Sequence, residues 1–382
     1  MTRPQSQGSL STPAARLPVL ITGGAGFVGT NLADRLLSAG RRVLIFDNLS
    51  RSGVDRNLRY LEAKHGSLLR VQAGDVRDAG AVRRAVDNAG FVFHLAAQVA
   101  VTTSLTAPVD DFEINARGTV NVLEAVRTRA EQIPVVFTST NKVYGSLDDL
   151  ALVEESTRYR PADGLPTGAG GIDESRPLDF HSPYGCSKGT ADQYVLDYAR
   201  TYGIKSVVFR MSCIYGPHQC GTEDQGWVAH FAISARERRP ITIYGDGKQV
   251  RDLLYVDDLV DAFLATEARI DVLAGHAFNI GGGPANTASL LEVIEIIAGL
   301  NEARPRVVVD GWRTGDQRYY VSNHALFTAA TGWSPKVRVR AGIQKLQRWL
   351  ESSRPSRVGA ALDALVASSQ RSHELEPSAE HP

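Results

Sequence analysis

Short β-branched and apolar runs punctuate the first half of the chain: LPVLIT, RRVLIF, LLRVQA, FVFHLAA, PVVFTST and SVVFRMS. Each is followed by a longer segment with apolar residues three and four positions apart, clearest in INARGTVNVLEAVR and in the stretch after Tyr184. Continuous apolar runs of strand length mark strands covered on both faces, and the amphipathic segments between them mark the helices that cover them. The alternation predicts βαβ units, hence the α/β class with a doubly wound, mostly parallel sheet. After Tyr215 the elements shorten into a helix near Trp227, a strand ITIYG, a helix DDLVDAFLAT, a strand AFNIG and a helix SLLEVIEIIAGL. They predict a smaller C-terminal substrate-binding lobe over the carboxyl edge of the sheet, where open α/β sheets take ligands.

This pattern divides the 382 residues into a disordered tail over 1–16, a nucleotide-binding domain over 17–215 and a lobe that takes up most of 216–352. Later segments can return to the first domain. Residues 353–382 read as a polar tail with one short helix near 358–366. The stretch between Tyr144 and Tyr184 has no period and contains GLPTGAGG, which predicts a functional loop. No internal repeat is visible. Charge adds an exclusion: Lys+Arg 42 against Asp+Glu 42 leaves no global basic field for nucleic acid or an anionic membrane. The three cysteines, Cys186, Cys213 and Cys220, form neither a disulfide framework nor a zinc cluster, so no metal is expected and a reducing cytoplasm is. No signal-peptide core and no membrane-length apolar run is present, which predicts a soluble, unexported protein.

The first strand runs into TGGAGFVG and a helix, the order of a Rossmann dinucleotide-binding turn. Gly23 permits the sharp turn, Gly26 lets the backbone approach a pyrophosphate, and Gly29 lets the helix lie close to the sheet, with Phe27 and Val28 opening it. The second strand ends in Asp47, placed to accept from both ribose hydroxyls of a dinucleotide. A carboxylate there repels a 2′-phosphate and favours NAD over NADP, although Arg51 beside Asn48 and Ser50 in DNLSRSG leaves NADP open. Asp75 and Val76, after the third strand, are expected near adenine.

At the carboxyl end of the fifth strand stand Thr138, Ser139 and Thr140. If the Tyr184 helix packs beside them, Thr140, Tyr184 and Lys188 converge on one hydroxyl-bearing carbon. Lys188 then bonds the nicotinamide ribose and, with the nicotinamide charge, favours the phenolate of Tyr184, which takes a proton as hydride leaves. His94 reads as a satisfied strand-end histidine rather than a base, and Cys186 as a packed side chain. His181 reads as shaping the helix entry.

Together TGGAGFVG, HLAAQ, TSTNKVYG, SPYGCSK, RDLLYVDD and NIGG resemble the extended short-chain dehydrogenase/reductases that act on nucleotide sugars, the NAD-dependent epimerase/dehydratase family, over residues 19–350. The resemblance implies that Thr140, Tyr184 and Lys188 are the catalytic set. It implies too that His94 to Gln98 (with Leu95, Ala96 and Ala97), Asn115 and Ser212 line the cofactor cleft, with Gln98 reaching the substrate. STNKVYG, LDFHSPYGCSKG, DQGWV, GKQVRD and DQR are shared with the branch that inverts carbon 2 of CDP-linked 3,6-dideoxyhexoses. That branch oxidises carbon 2 with tightly bound NAD and returns the same hydride to the opposite face. A homodimer or homotetramer, built on a four-helix interface from residues 115–126 and 191–202, is implied as well, with burial inside the monomer as the alternative.

Departures from the family narrow the chemistry. The dehydratases carry an Asp-Glu pair after the threonine; Asn141 and Lys142 stand there in this chain and cannot do that paired acid and base work. Cys213 replaces an asparagine that contacts the diphosphate in many relatives. Arg251 and Arg318 are expected to meet the diphosphate as charge-assisted donors, with Asn141 and Lys142 orienting the sugar or closing the turn. Trp227 reads equally as a pocket wall and as a packing aromatic. The leading expectation is an NAD-dependent CDP-hexose 2-epimerase. A C4 epimerase or oxidative decarboxylase of a UDP-sugar, and a non-catalytic NAD-sensing regulator, stand as rivals.

Overall fold

The computed structural model describes residues 17–162, 170–301, 304–313 and 315–352. The expected tails, the short helix near 358–366 and most of GLPTGAGG lie outside these residues. Seven strands form the central sheet: β1 (Val19–Thr22), β2 (Val43–Asp47), β3 (Leu69–Ala73), β4 (Phe91–His94), β5 (Val135–Thr140), then, after the small antiparallel pair β6 (Leu152–Glu154) and β7 (Tyr159–Pro161), β8 (Ser206–Met211) and finally β12 (Ala277–Ile280). Their order is β3-β2-β1-β4-β5-β8-β12 and every pairing is parallel.

Alternate residues of each strand enter opposite cores. Val19 and Ile21 of β1, with Val43 and Ile45 of β2, pack under α1 (Phe27–Ser38), while Leu20, Leu44 and Phe46 pack on the other face. That second face is covered by α3 (Ala79–Asp87), by α6 (Gly118–Arg127) and by the long α7 (Ser182–Tyr202). Burial on both faces explains why the strands read as unbroken apolar runs. α2 (Val54–His65) flanks α1, and the short α4 (Val101–Thr106) and α5 (Pro108–Phe112) run into a π turn at Glu113–Arg117 before α6.

The smaller lobe is built on β9 (Cys213–Tyr215), β10 (Ile241–Tyr244), β11 (Val250–Tyr255), β13 (Thr287–Ser289), β14 (Val307–Asp310) and β15 (Tyr319–Tyr320). It has its own core under α8 (Trp227–Arg236) and the helices Leu290–Ala298 and Val339–Ser352. Two expectations are corrected. AFNIG is not a lobe strand: β12 pairs with β8, Phe278 opposite Phe209, and closes the edge of the main sheet. The lobe begins earlier than Gly216, because β9 pairs with β11. The 145–181 connection is anchored as well as long, since Ile172 bridges Ser322 and Asn279 Nδ2 donates to its carbonyl at 2.9 Å.

Candidate active site

The sheet order changes direction between β1 and β4, and the cofactor groove opens there. Gly23 has φ +68°, and a Cβ on it would stand 2.7 Å from the Ala96 amide nitrogen. A Cβ on Gly29 would stand 2.5 Å from the Gly23 carbonyl, so α1 can lie against the turn only without a side chain there. The amino end of α1 is capped by Gly26 with no side-chain acceptor, which leaves its amides free for an anion. Asp47, at the end of β2, accepts from the Ala25 amide at 3.0 Å and the Leu49 amide at 2.9 Å, one on each oxygen. Each oxygen keeps a lone pair for a ribose hydroxyl. Burial raises its pKa and the two amides oppose the rise.

Asn48, Ser50, Arg51, Asp75, Val76, Leu95, Ala96, Ala97 and Gln98 line the rest of a groove of about 460 Å³. Asp75 is held well below the usual carboxylate range, chiefly by Arg77. The residues present fit a dinucleotide: a bare helix end for the pyrophosphate and a fixed carboxylate for the ribose. Arg51 crosses the groove and bonds Gln225 of the lobe. Asn115 does not line the groove; it is buried on the π turn and holds Gln98 by a 2.9 Å bond from the Gln98 amide and a 3.0 Å bond to the Gln98 carbonyl.

A second cleft, of about 400 Å³, continues from this groove and shares Phe27, Val28, Leu95 and Ala97 with it. Thr138, Ser139, Thr140, Tyr184, Lys188 and Ser212 all line it, so β5, α7 and the end of β8 bring the sequence-predicted set together. Pro183 opens α7 and Ser182 has φ +63°, a left-handed entry that carries the chain into the first turn. The Tyr184 amide donates to Ser104 Oγ at 3.1 Å. Burial pushes the Tyr184 phenol up to about 12, against a hydrogen bond with Thr140 and the charge of Arg51. Lys188 Nζ donates to the Thr138 carbonyl at 2.5 Å and lies 4.2 Å above the Phe137 ring. Burial brings it down to about 7, opposed by Asp192 and Asp111. His94 is fully engaged, Nδ1 at 2.7 Å from Thr22 Oγ1 and Nε2 at 3.0 Å from Thr119 Oγ1, and burial and Lys188 lower it to about 3. It is a neutral core histidine.

At the far end Lys142 Nζ donates to the Gly315 carbonyl at 3.0 Å, with Asp316 3.8 Å away, and burial lowers it to about 8. Arg251 pairs with Asp316 at 2.6 Å. Asn141 lines the cleft too, accepting from Thr140 Oγ1 at 3.3 Å and donating to Gln317 Oε1 at 3.4 Å. Trp227 does both things expected of it: it walls the cleft and packs on Phe231, donating to Cys213 Sγ at 3.5 Å. Two assignments are corrected. Arg318 is exposed and stacks over Tyr159 and Trp312, outside the cleft; Arg313, five residues earlier, lines it instead, 3.7 Å over the Tyr244 ring. Gln98 lines the cofactor groove and not the substrate cleft, because its side chain is spent on Ala100 and Asp111. Sequence reasoning also missed Asp316, Gln249 and Tyr244, and the DQR triplet that begins at Asp316 was the signal for the first.

The NAD dependent epimerase/dehydratase family matches residues 19–281. The chain is 45% identical over 343 residues to CDP-paratose 2-epimerase of Salmonella typhi, covering 88% of this chain and 100% of that protein. Among solved structures it resembles Thermus thermophilus UDP-glucose 4-epimerase in complex with NAD, with TM-score 0.74, 31% identity and coverage of 88% and 100% of the two chains. It also resembles dTDP-glucose 4,6-dehydratase of Streptomyces venezuelae with NAD bound, with TM-score 0.76, 28% identity and coverage of 88% and 98%.

Proposed function

The chain belongs to the NAD-dependent epimerase/dehydratase family, and we propose that within it the protein inverts carbon 2 of a CDP-linked hexose of the paratose and tyvelose type. It is an NAD-dependent nucleotide-sugar epimerase, an isomerase rather than a net oxidoreductase. The observation that carries the finer reading is the full-length 45% identity with the Salmonella 2-epimerase. Asn141 and Lys142 in the cleft support it, because a neutral amide has no proton to transfer and a protonated ammonium cannot abstract one, so the paired carboxylates of a dehydratase have no counterpart there.

The glycine turn and Asp47 would hold NAD, which when bound would supply the acceptor for a hydride that is later returned. Tyr184 takes the proton of the sugar hydroxyl during oxidation and returns it during reduction. Thr140, bonded to the phenol, orients that hydroxyl, and Lys188 contributes positive charge beside it. Inversion needs the sugar to present its second face while the nucleotide stays put. Lys142, Arg251 and Arg313 are suited to gripping the diphosphate: three cations lining the cleft, two of them held by Asp316 and one by Tyr244 and Asp224. Tight retention of NAD follows from the same need, since a cofactor that left mid-cycle would strand the keto sugar.

Purified protein incubated with CDP-paratose, with no added NAD, is expected to give a mixture with CDP-tyvelose by proton NMR. No net NADH absorbance should accumulate. UDP-glucose should remain unchanged; inversion of its carbon 4, or failure to invert carbon 2 of any CDP-hexose, overturns the assignment.

We further propose a homodimer. The apolar face of α6 is spent inside the monomer, where Val122, Leu123 and Val126 are buried. Leu105, Val109 and Phe112 on α4 and α5, and Tyr194 and Tyr202 on α7, remain exposed and support an interface there. Sedimentation equilibrium should give twice the chain mass, and a monomer at micromolar concentration would remove this assignment. Among the described residues no helix is long and apolar enough to cross a membrane.

A further inference from the structure

We propose that Asp111 is a positioning residue for the proton-transfer pair: its buried carboxylate braces the turn of α7 between Tyr184 and Lys188 and supplies the negative charge that Lys188 answers. The inference rests on the roles assigned above to Tyr184 and Lys188. Asp111 is the next-to-last residue of α5, immediately before the π turn, and it is completely buried. The side chains around it all donate. Ser187 Oγ bonds one carboxylate oxygen; Gln98 Nε2 at 2.8 Å and Asn115 Nδ2 at 3.2 Å bond the other. These hydrogen bonds and the charge of Lys188 favour the ionised form, against burial, which raises the acid's pKa.

Ser187 sits between Tyr184 and Lys188 in α7 and also accepts from Asn115 Nδ2 at 3.0 Å. The network therefore clamps the helix turn that carries the pair to the segment carrying Asn115, which in turn fixes Gln98 in the cofactor groove. Among the described residues Asp111 has no ion-pair partner, and Lys188 is the cation whose charge lowers its pKa.

The groups facing Lys188 divide clearly. Asp192, on the same helix, is committed to Arg210 through two bonds of 2.9 and 3.0 Å. His94 on β4 is neutral, and β5 offers the Thr138 carbonyl and the Phe137 ring. Tyr184 faces Thr140 on β5, Arg51 across the groove and Asp111. Asp111 is thus the anion whose charge no other cation cancels. It favours the ammonium of Lys188 and disfavours the phenolate of Tyr184, raising both titrations together.

The signs give a test. The rate needs Tyr184 ionised and Lys188 protonated, so the two limbs of the pH profile follow these two titrations. In NAD-loaded enzyme acting on CDP-paratose, Asp111→Asn should move both limbs of the kcat/KM profile down by about one pH unit, displacing the whole bell. Ser187→Ala, which keeps the charge but loosens the clamp, should lower the rate with both limbs in place. Asp111→Ser removes the charge in a smaller side chain, and whichever Asp111 variant purifies with NAD carries the test. A uniform rate loss with unmoved limbs would mean that Asp111 only packs. The Tyr184 phenol can also be followed without substrate, by NMR of protein labelled with 13Cζ-tyrosine and assigned with Tyr184→Phe. Its titration should fall in Asp111→Asn, and an unmoved titration overturns the proposal even if the substrate is another nucleotide sugar. An inactive wild-type enzyme with a displaced Tyr184 titration would instead defeat the substrate reading alone.

Discussion

Tyr184→Phe should lose at least about 10³-fold in kcat while the protein still purifies with NAD. Thr140, Lys188 and His94 cannot take over its work. Thr140 is an ordinary hydroxyl, Lys188 Nζ is held by the Thr138 carbonyl, and His94 is sealed in the core between Thr22 and Thr119. The phenol itself stands at about 12 through burial, so its work as a base depends on positive charge arriving beside it. A bound nicotinamide ring brings that charge together with Lys188, and Phe cannot use it. Packing and cofactor retention should survive, because the bond that seats the helix start is made by the Tyr184 amide to Ser104 rather than by the ring. The cradle of Gly23, Gly29 and Asp47 lies elsewhere. The measurement is paired: NAD released on denaturation, counted per chain, and product formation by NMR. A variant that keeps its NAD and turns over within tenfold of wild type would refute the proton-transfer role of Tyr184.

What the sequence made legible follows from how far apart the cooperating residues lie. The glycine turn, Asp47 and the Tyr184–Lys188 pair are each written within a single βα unit or one helix turn, so spacing alone carries their geometry. The Thr140 contact needed one long-range assumption, that α7 packs beside β5, and the buried stripe of α7 against β5 and β8 satisfies it. The far end of the cleft was harder. Arg313 and Arg318 are chemically identical in sequence, and the left-handed turn at Gly315, φ +75°, sends one into the cleft and the other out over Trp312. Asp111 was invisible for the same reason: an aspartate on a short exposed-looking helix becomes buried only when α5 meets α7. AFNIG carried no mark of which sheet it joins, since a four-residue apolar strand fits either edge.

Asp192→Asn should lower the unfolding temperature by on the order of 5–10 °C, the consequence of leaving Arg210 charged in the core. Asp192 is fully buried on α7 and the Arg210 side chain on β8 is 6% exposed. The two make a bidentate pair in which Asp192 holds the guanidinium above its ordinary pKa, and a guanidinium is too basic to discharge when its partner goes. The pair is also the start of a chain of bonds. Arg210 donates to the Tyr144 hydroxyl at 3.2 Å, Tyr144 donates to Asn279 Oδ1 at 2.7 Å, and Asn279 Nδ2 reaches the Ile172 carbonyl, where the long connection meets the lobe at Ser322. Breaking one partner of such a pair costs about 3–5 kcal/mol, whereas replacing both with apolar residues of similar volume is often neutral. Asp192→Leu with Arg210→Met should therefore recover most of the loss, which separates the unpaired charge from the packing as its cause. Thermal unfolding of the three proteins, loaded with equal NAD, decides the matter. If Asp192→Asn melts within about 2 °C of wild type, the pair does not anchor α7 to the sheet, and the seat of Lys188 four residues earlier in that helix must be held by the Asp111 network alone.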